Sequence, residues 1–282
     1  MLKYLYKKGE NMNYNKIGFI GSGKMAGAII KGLINKGFVS ADNIKATQAE
    51  SDGLEEKSKL LGGIKVTNDN KELAMGSDVI FIAVKPNQVM GVLEEIKPFV
   101  TPEKLIISIA AGVNITKLES NLPTGSKVIR VMPNTPALVG EGMSGIFGGA
   151  EVNSEDIDFV KNLLSAIGKC VVVDNEKQMD IVTAISGSGP AFFYKVMNDI
   201  ALAGEKLGLD YEKSLALSIQ TAIGSAKMAM QRDVSMETLI SNVATKGGCT
   251  RVGVDSMLSA DTEKVFYDVI KSTAQKASEL GK

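Results

Sequence analysis

The sequence predicts an α/β protein in two parts, a mostly parallel sheet interleaved with helices and then an all-helical domain. Three observations predict it. From Lys16 onward, short runs rich in β-branched residues alternate with helix-length segments. The first of these strands runs into its helix through a glycine loop, Gly21-Ser22-Gly23-Lys24-Met25-Ala26. After Asp174 the strand pattern stops, and everything to Lys282 is helical in period and rich in Ala, Leu, Met, Glu and Lys. The expected division is therefore a disordered extension over 1–15, a nucleotide-binding domain over 16–174 and a helical domain over 175–282.

The extension opens MLKYLYKKGEN, which lacks the small-residue cleavage site of an export signal, and it precedes a second methionine, Met12. Lys8-Gly9-Glu10 can be encoded by a purine-rich stretch resembling a ribosome-binding site, so translation is expected to start at Met12; an intact mass would test this. The first strand reads Lys16-Ile17-Gly18-Phe19-Ile20 and is followed by a helix over 25–36. Further strands read at 44–47, 64–67, 78–84, 105–110 and 128–132, and those at 144–147 and 170–174 close the half. Uninterrupted apolar runs such as VIFIAV and LIISIA mark strands buried on both faces of a largely parallel sheet.

Composition narrows the chemistry. The chain has 282 residues, 44% apolar, enough for two cores. Lys plus Arg and Asp plus Glu number 32 each, so no net field recruits nucleic acid or anionic lipid. There is no histidine, and the two cysteines, Cys170 and Cys249, lack metal-type spacing. Zinc sites, Ser-His-Asp triads and histidine acid–base catalysis are set aside on that ground, and no metal is expected. No apolar run approaches the roughly twenty residues of a membrane span, and a cytoplasmic protein is expected.

The loop at Gly21–Ala26 has the G-x-G-x-x-A form in a strand–loop–helix frame, the position a dinucleotide pyrophosphate requires in a Rossmann-type fold. Its glycines let the backbone approach the phosphates, and the free N–H groups of the helix start hold negative charge. The acidic residue that grips the adenine ribose of NAD should close the second strand, yet Ala46-Thr47-Gln48 stands there. Neutral hydroxyl and amide groups can donate to a 2′-phosphate, which favours NADP over NAD while leaving both usable.

Other loops open on the same carboxyl edge, where open α/β sheets bind ligands. They are Ala83-Val84-Lys85-Pro86, Ala110-Ala111-Gly112 and Met132-Pro133-Asn134-Thr135-Pro136, and together they are expected to wall the nicotinamide. In the helical half, Ser186-Gly187-Ser188-Gly189-Pro190-Ala191 breaks a helix and restarts it, with Pro190 suited to a first turn. Near the end, Thr245-Lys246-Gly247-Gly248-Cys249-Thr250 joins a short helix to a long one. Alone it is a tight turn with Thr250 as a cap. It also presents several N–H groups at a positive helix end, suited to a small carboxylate, with the Thr250 hydroxyl beside them. Segments 191–207, 215–230 and 252–258 are too apolar and Met-rich for one small helical domain to cover, and are expected to pair with a second copy.

IGSGKMA, AVKP, AAGV, RVMPNTPALVGEG, AISGSGPAFF and GGCT occur in an order and spacing that resembles pyrroline-5-carboxylate reductase, from Lys16 to near the C-terminus. The resemblance implies an N-terminal Rossmann domain, a C-terminal helical domain forming an interleaved homodimer, and reduction of 1-pyrroline-5-carboxylate to L-proline by NADPH or NADH. It implies that Gly21 to Ala26, Gln48, Asn70 and Ala83 to Pro86 hold the adenine half and phosphates, and that Asn242 approaches the nicotinamide side. It further implies that Gly247, Gly248 and Cys249 belong to the substrate turn, that the Thr250 hydroxyl contacts the ring nitrogen, and that Glu176 is a substrate-site carboxylate. The chain departs from the family at Thr245-Lys246, where Ser-Pro is usual; the change removes a rigid element and adds a positive charge. Two other readings stand beside this one. One is a different Rossmann-plus-helical oxidoreductase, an imine reductase or a β-hydroxyacid dehydrogenase, the latter of which would use Lys195 for proton transfer. A silent nicotinamide-binding regulator would bind without turnover.

Overall fold

The computed structural model describes residues 14–231 and 233–281; the expected start at Met12 lies outside them. The chain forms two compact units. The first ends at Gly187 and regains the residues from Ala274 onward, and the second is Ser188–Thr273.

The first unit is built on one eight-stranded sheet in the order β3-β2-β1-β4-β5-β6-β7-β8. The strands are β1 (Ile17–Ile20), β2 (Ile44–Thr47), β3 (Lys65–Thr67), β4 (Val79–Ile82), β5 (Leu105–Ser108), β6 (Lys127–Met132), β7 (Gly142–Gly148) and β8 (Gly168–Val172). Strands β1 to β6 run parallel, β7 turns antiparallel to β6, and β8 is parallel to β7. The parallel strands read as continuous hydrophobic runs because helices cover both faces: IGFI, VIFI and LIIS are buried throughout. Phe19 stacks on Phe81 across β1 and β4, centroids 4.4 Å apart. The covering helices are α1 (Lys24–Asn35), α2 (Leu54–Leu60), α3 (Asn70–Met75), α4 (Val89–Ile96), α5 (Ile115–Ser120), α6 (Ser154–Leu164) and α7 (Gln178–Val182).

Asp156 is buried; it closes the capping box of α6 with Asn153, accepts the Tyr14 hydroxyl at 2.7 Å and pairs with Lys127 at 3.1 Å. Burial, and then the bond to Asp156, pushes the Tyr14 hydroxyl well above the ordinary phenol range. This contact anchors the chain just before β1.

Helix α7 passes directly into a π-helical turn, Thr183–Gly187, before the first unit ends. The first unit therefore runs past Asp174, because this segment packs beneath β6 and β7. An added Cβ on Gly145 would meet Val182 at 2.6 Å, and one on Gly187 would meet the Met132 methyl at 2.6 Å.

The second unit contains α8 (Gly189–Lys206), α9 (Tyr211–Gln231), α10 (Met236–Val243), α11 (Cys249–Ser259) and the greater part of α12 (Thr262–Leu280). Pro190 sits in the first turn of α8, where its missing N–H costs nothing. Helices α8 and α9 pack through Gly204 against Ser214, and the Tyr211 hydroxyl donates to Asn198 at 2.9 Å. Large apolar side chains stay exposed, among them Phe193 at 68%, Val252 at 67% and Leu258 at 66%.

Candidate active site

The sheet order 3-2-1-4-5-6 places a topological switch at β1, with β2 on one side and β4 on the other; doubly wound sheets bind dinucleotides at this crevice. The loop leaving β1 is shaped by its two glycines in different ways. Gly21 has φ +99°, and an added Cβ would lie 2.6 Å from the Ala83 carbonyl oxygen, so only glycine lets the loops after β1 and β4 touch. Gly23 has an ordinary extended backbone, and a Cβ there would meet nothing within 4 Å. Open space thus stands before the start of α1. The first intrahelical bond runs from Gly27 N–H to the Gly23 carbonyl at 2.9 Å, which leaves the N–H groups of Lys24, Met25 and Ala26 without a helical acceptor. No side chain caps this end, and no acid occupies its first turn. A bare amide cradle of this kind fits a pyrophosphate. Ser22 and Ala26 are buried beneath it, while Lys24 is exposed at its mouth.

The neighbouring loops follow the same edge. Ala83 N–H donates to the Ile20 carbonyl at 2.8 Å and continues the pairing of β1 with β4 to the lip of the crevice. Val84 is half-buried, and Lys85 and Pro86 are exposed where the chain turns toward α4. Beyond β5, Ala110 is buried and Ala111 is exposed.

At the end of β2 the structure ties Thr47, Gln48 and Asn70 into place. The buried Thr47 hydroxyl accepts from Gly21 N–H at 3.2 Å and donates to the Asn70 carboxamide oxygen at 2.8 Å. Asn70 in turn donates to Glu95 at 2.8 Å. Gln48 donates to the backbone carbonyls of Glu50 at 3.1 Å and Asp52 at 2.8 Å. These side chains lie along the end of β2 and the start of α3, with their donors taken up by protein acceptors. Thr47 is the residue whose role sequence reasoning undervalued: a hydroxyl closing an apolar strand is the signal that could have found it.

Asn134 also has a different occupation from the nicotinamide contact expected of it. Its amide donates to the Ser186 carbonyl and hydroxyl, both at 3.2 Å, and its oxygen accepts from Met143 N–H at 2.8 Å. Ser186 closes the circuit on the Met143 carbonyl at 3.0 Å. Asn134 is buried, and it latches the proline-stiffened loop after β6 to β7 and the π-helical turn.

Glu176 likewise serves the fold. It accepts from Ile115 N–H at 2.7 Å and from Arg130 at 3.0 Å, and Asp180 approaches the same guanidinium at 4.0 Å. Arg130 is buried in β6, so its charge requires these carboxylates. A lone arginine inside the apolar run KVIRVM was the available signal. Beside this cluster the last turn of α12 rests on the loop after β5: Leu280 packs on Gly112, and Lys117 donates to the Gly281 carbonyl at 3.0 Å.

In the second unit, Gly247 adopts φ +78° and sharpens the turn into α11. Gly248 is the N-cap and supplies no side-chain cap. Arg251 N–H closes back on the Gly248 carbonyl at 3.2 Å, so the N–H groups of Cys249 and Thr250 precede the first bond of the helix. Both side chains are exposed there, as is Lys246. Arg251 is paired with Asp255 at 2.8 Å and is thereby occupied within its own helix. Asn242 is exposed near the end of α10. Lys195, the residue a hydroxyacid dehydrogenase would need, is held by Asp199 at 2.6 Å.

Two family models match the chain. One, for pyrroline-5-carboxylate reductase dimerisation, covers residues 176–280; the other, for coenzyme F420-dependent NADP oxidoreductase, covers residues 16–112. The pyrroline-5-carboxylate reductase of Pseudomonas aeruginosa is 38% identical over 271 residues, 95% of this chain and 98% of the relative. The chain belongs to the pyrroline-5-carboxylate reductase family. Among solved structures, the pyrroline-5-carboxylate reductase of Coxiella burnetii superposes with a TM-score of 0.90 at 34% identity, covering 96% of this chain and 99% of that one. The Plasmodium falciparum pyrroline carboxylate reductase, solved with NADP bound, gives a TM-score of 0.83 at 34% identity, covering 96% of this chain and 100% of that one. Among the described residues, the amide cradle after β1 and the glycine turn before α11 are two features suited to anionic groups.

Proposed function

We propose that this protein reduces 1-pyrroline-5-carboxylate to L-proline with NADPH or NADH, the last step of proline biosynthesis. The observation that carries the proposal is the turn at Gly247–Thr250. It combines uncapped N–H groups with an exposed hydroxyl in a chain that has no histidine for acid–base work.

The cradle formed by Gly21, Ser22, Gly23, Lys24, Met25 and Ala26 would hold the pyrophosphate, with Ala83 to Pro86, Ala110 and Ala111 forming its rim and Asn242 serving the nicotinamide side. When bound, the reduced nicotinamide supplies hydride to the imine carbon. The Cys249 and Thr250 amides fix the substrate carboxylate, the Gly248 N–H closes the turn on the Thr245 carbonyl at 3.0 Å, and the Thr250 hydroxyl holds the ring nitrogen. A pyrroline protonated at nitrogen is already electrophilic, so these residues contribute by orienting it, and no protein acid has to deliver a proton during hydride transfer. Glu176, spent on Arg130 and on the start of α5, supports the fold around this chemistry.

The protein works as a homodimer, in keeping with the dimerisation region matched at 176–280 and with the apolar helix faces of the second unit. It acts in the cytoplasm; among the described residues no helix is long and apolar enough to cross a membrane. The test is loss of nicotinamide absorbance with purified protein, with and without 1-pyrroline-5-carboxylate. Oxidation that requires the pyrroline is expected. Binding of NADPH with no pyrroline-dependent oxidation would favour the silent regulator and overturn the proposal.

A further inference from the structure

The loop after β5 carries Ala110 and Ala111, and its backbone has few ties to the rest of the fold. Ile109 N–H donates to the Ile82 carbonyl at 3.1 Å, and Ala110 N–H reaches the Ser108 hydroxyl at 3.4 Å. From Ala111 to Asn114 no backbone N–H finds an acceptor among the described residues. Ile115, the first residue of α5, is the next that does, and its acceptor is the distant carboxylate of Glu176 at 2.7 Å. Arg130 donates to the same carboxylate oxygen at 3.0 Å. Its side chain is 5% exposed, and it stands opposite Ser108 in the register of β5 and β6. Apolar side chains of similar volume fill such a place at least as stably as a buried ion pair. They cannot accept the Ile115 N–H. The pair therefore has a directional use: Arg130 aims the Glu176 carboxylate, and the carboxylate fixes the far end of the loop. Gly112, with φ +74°, rests on Leu280 at the loop's middle.

We infer that Glu176, aimed by Arg130, is a positioning residue for hydride transfer, which holds the Ala110–Ala111 rim where a bound nicotinamide meets the imine carbon. This rests on the reading that the chain reduces a pyrroline with its nicotinamide against that rim. Glu176 acts through the loop and not on the reacting atoms. A displacement of about 1 Å at a reacting centre costs about 100-fold in rate. The pyrophosphate cradle follows β1, two strands from β5, so the adenosine half of the cofactor should not sense the change.

The experiment compares the full-length wild type with Glu176→Ala, which removes the acceptor, and Glu176→Gln, whose amide oxygen still accepts from both Ile115 and Arg130. Single-turnover reduction of 1-pyrroline-5-carboxylate reads hydride transfer, the nicotinamide emission of bound NADPH reads the held ring without substrate, and calorimetry with ADP reads the cradle. Glu176→Ala should slow hydride transfer by about 10- to 100-fold and lower the emission, while the ADP dissociation constant stays within about threefold of wild type. Glu176→Gln should recover most of both losses. Should Glu176→Ala fail to fold, Ile115→Pro cuts the same tie from the loop side, because proline suits a first helical position and leaves the Arg130–Glu176 pair whole; it should show the same slow transfer and low emission. Hydride transfer within about threefold of wild type in folded Glu176→Ala, equal losses in the alanine and glutamine variants, or a loss of ADP affinity matching the loss of rate would each overturn the inference. A wild type that binds NADPH without reducing the pyrroline would overturn the reductase reading. Emission then decides the rest: a loss in Glu176→Ala that Glu176→Gln restores sustains the tie to the nicotinamide, and unchanged emission overturns it too.

Discussion

Gly23→Ala separates ligand binding from folding at the cradle after β1. Its backbone, φ −69° and ψ −175°, suits any residue, and an added Cβ has no protein neighbour within 4 Å. Alanine is a poorer N-cap than glycine but also reduces the entropy of the unfolded chain, so the net stability change should stay within about 1 kcal/mol. The methyl would instead stand in the space a pyrophosphate must enter to reach the Lys24, Met25 and Ala26 amides. Forcing a methyl into a close contact costs about 1–3 kcal/mol, which corresponds to a loss of NADPH affinity of about 5- to 150-fold. Gly21→Ala is the contrasting control. There the left-handed backbone costs about 1–2 kcal/mol, and the collision with the Ala83 carbonyl adds about 1–3 kcal/mol, so the fold itself should suffer. Urea denaturation and a fluorescence titration with NADPH on both variants supply the two numbers. An unchanged NADPH dissociation constant in Gly23→Ala would refute the cradle.

Thr250→Ala should lower kcat/KM with 1-pyrroline-5-carboxylate by about 10- to 100-fold, the scale of a lost positioning hydrogen bond, and Thr250→Ser should recover most of it; an unaltered rate in the alanine variant removes Thr250 from the site. Asn134→Ala deletes three partly buried hydrogen bonds and leaves Met143 N–H unpaired, so urea denaturation should show a loss of about 2–4 kcal/mol; a loss under about 0.5 kcal/mol, ordinary for surface changes, would contradict the latch. Hydrogen bonds from Lys65 and then Lys45 hold the Glu72 carboxyl down at about 2. Its stabilising contribution is present above the unfolded value of about 4.3 and is lost as pH falls from there toward the folded value. Glu72→Gln should therefore flatten the acid side of the stability profile. The effect should be modest and weaker in high salt, because the side chain is 39% exposed; parallel acid profiles for the two proteins would count against it.

The strands were legible because a sheet covered on both faces writes its core as unbroken apolar runs, and the eight runs read from the sequence correspond to the eight strands of the sheet. The glycine cradle was legible because its spacing is tied to a strand and a helix on either side. What sequence periodicity cannot convey is which distant partner a polar side chain finds. Gln48 and Asn134 were read as ligand contacts from position and Glu176 from the family resemblance; the protein partners they find in the structure, among them Asp52, Ser186 and Arg130, are set only once the chain has folded. The same limit hid the return of the last turn of α12 to Gly112 and Lys117, since its helical period continues unchanged across that boundary. It also hid the first unit's extension to Gly187, because residues 178–187 are helical in pattern but pack under β6 and β7.

The most direct measurement is isotope transfer. Protein incubated with 1-pyrroline-5-carboxylate and NADPH deuterated at the reactive nicotinamide carbon should yield L-proline carrying a single deuterium at the former imine carbon, seen by mass spectrometry and NMR. Proline without that deuterium, or no proline while NADPH binds normally, would contradict hydride transfer to the pyrroline as the function of this chain.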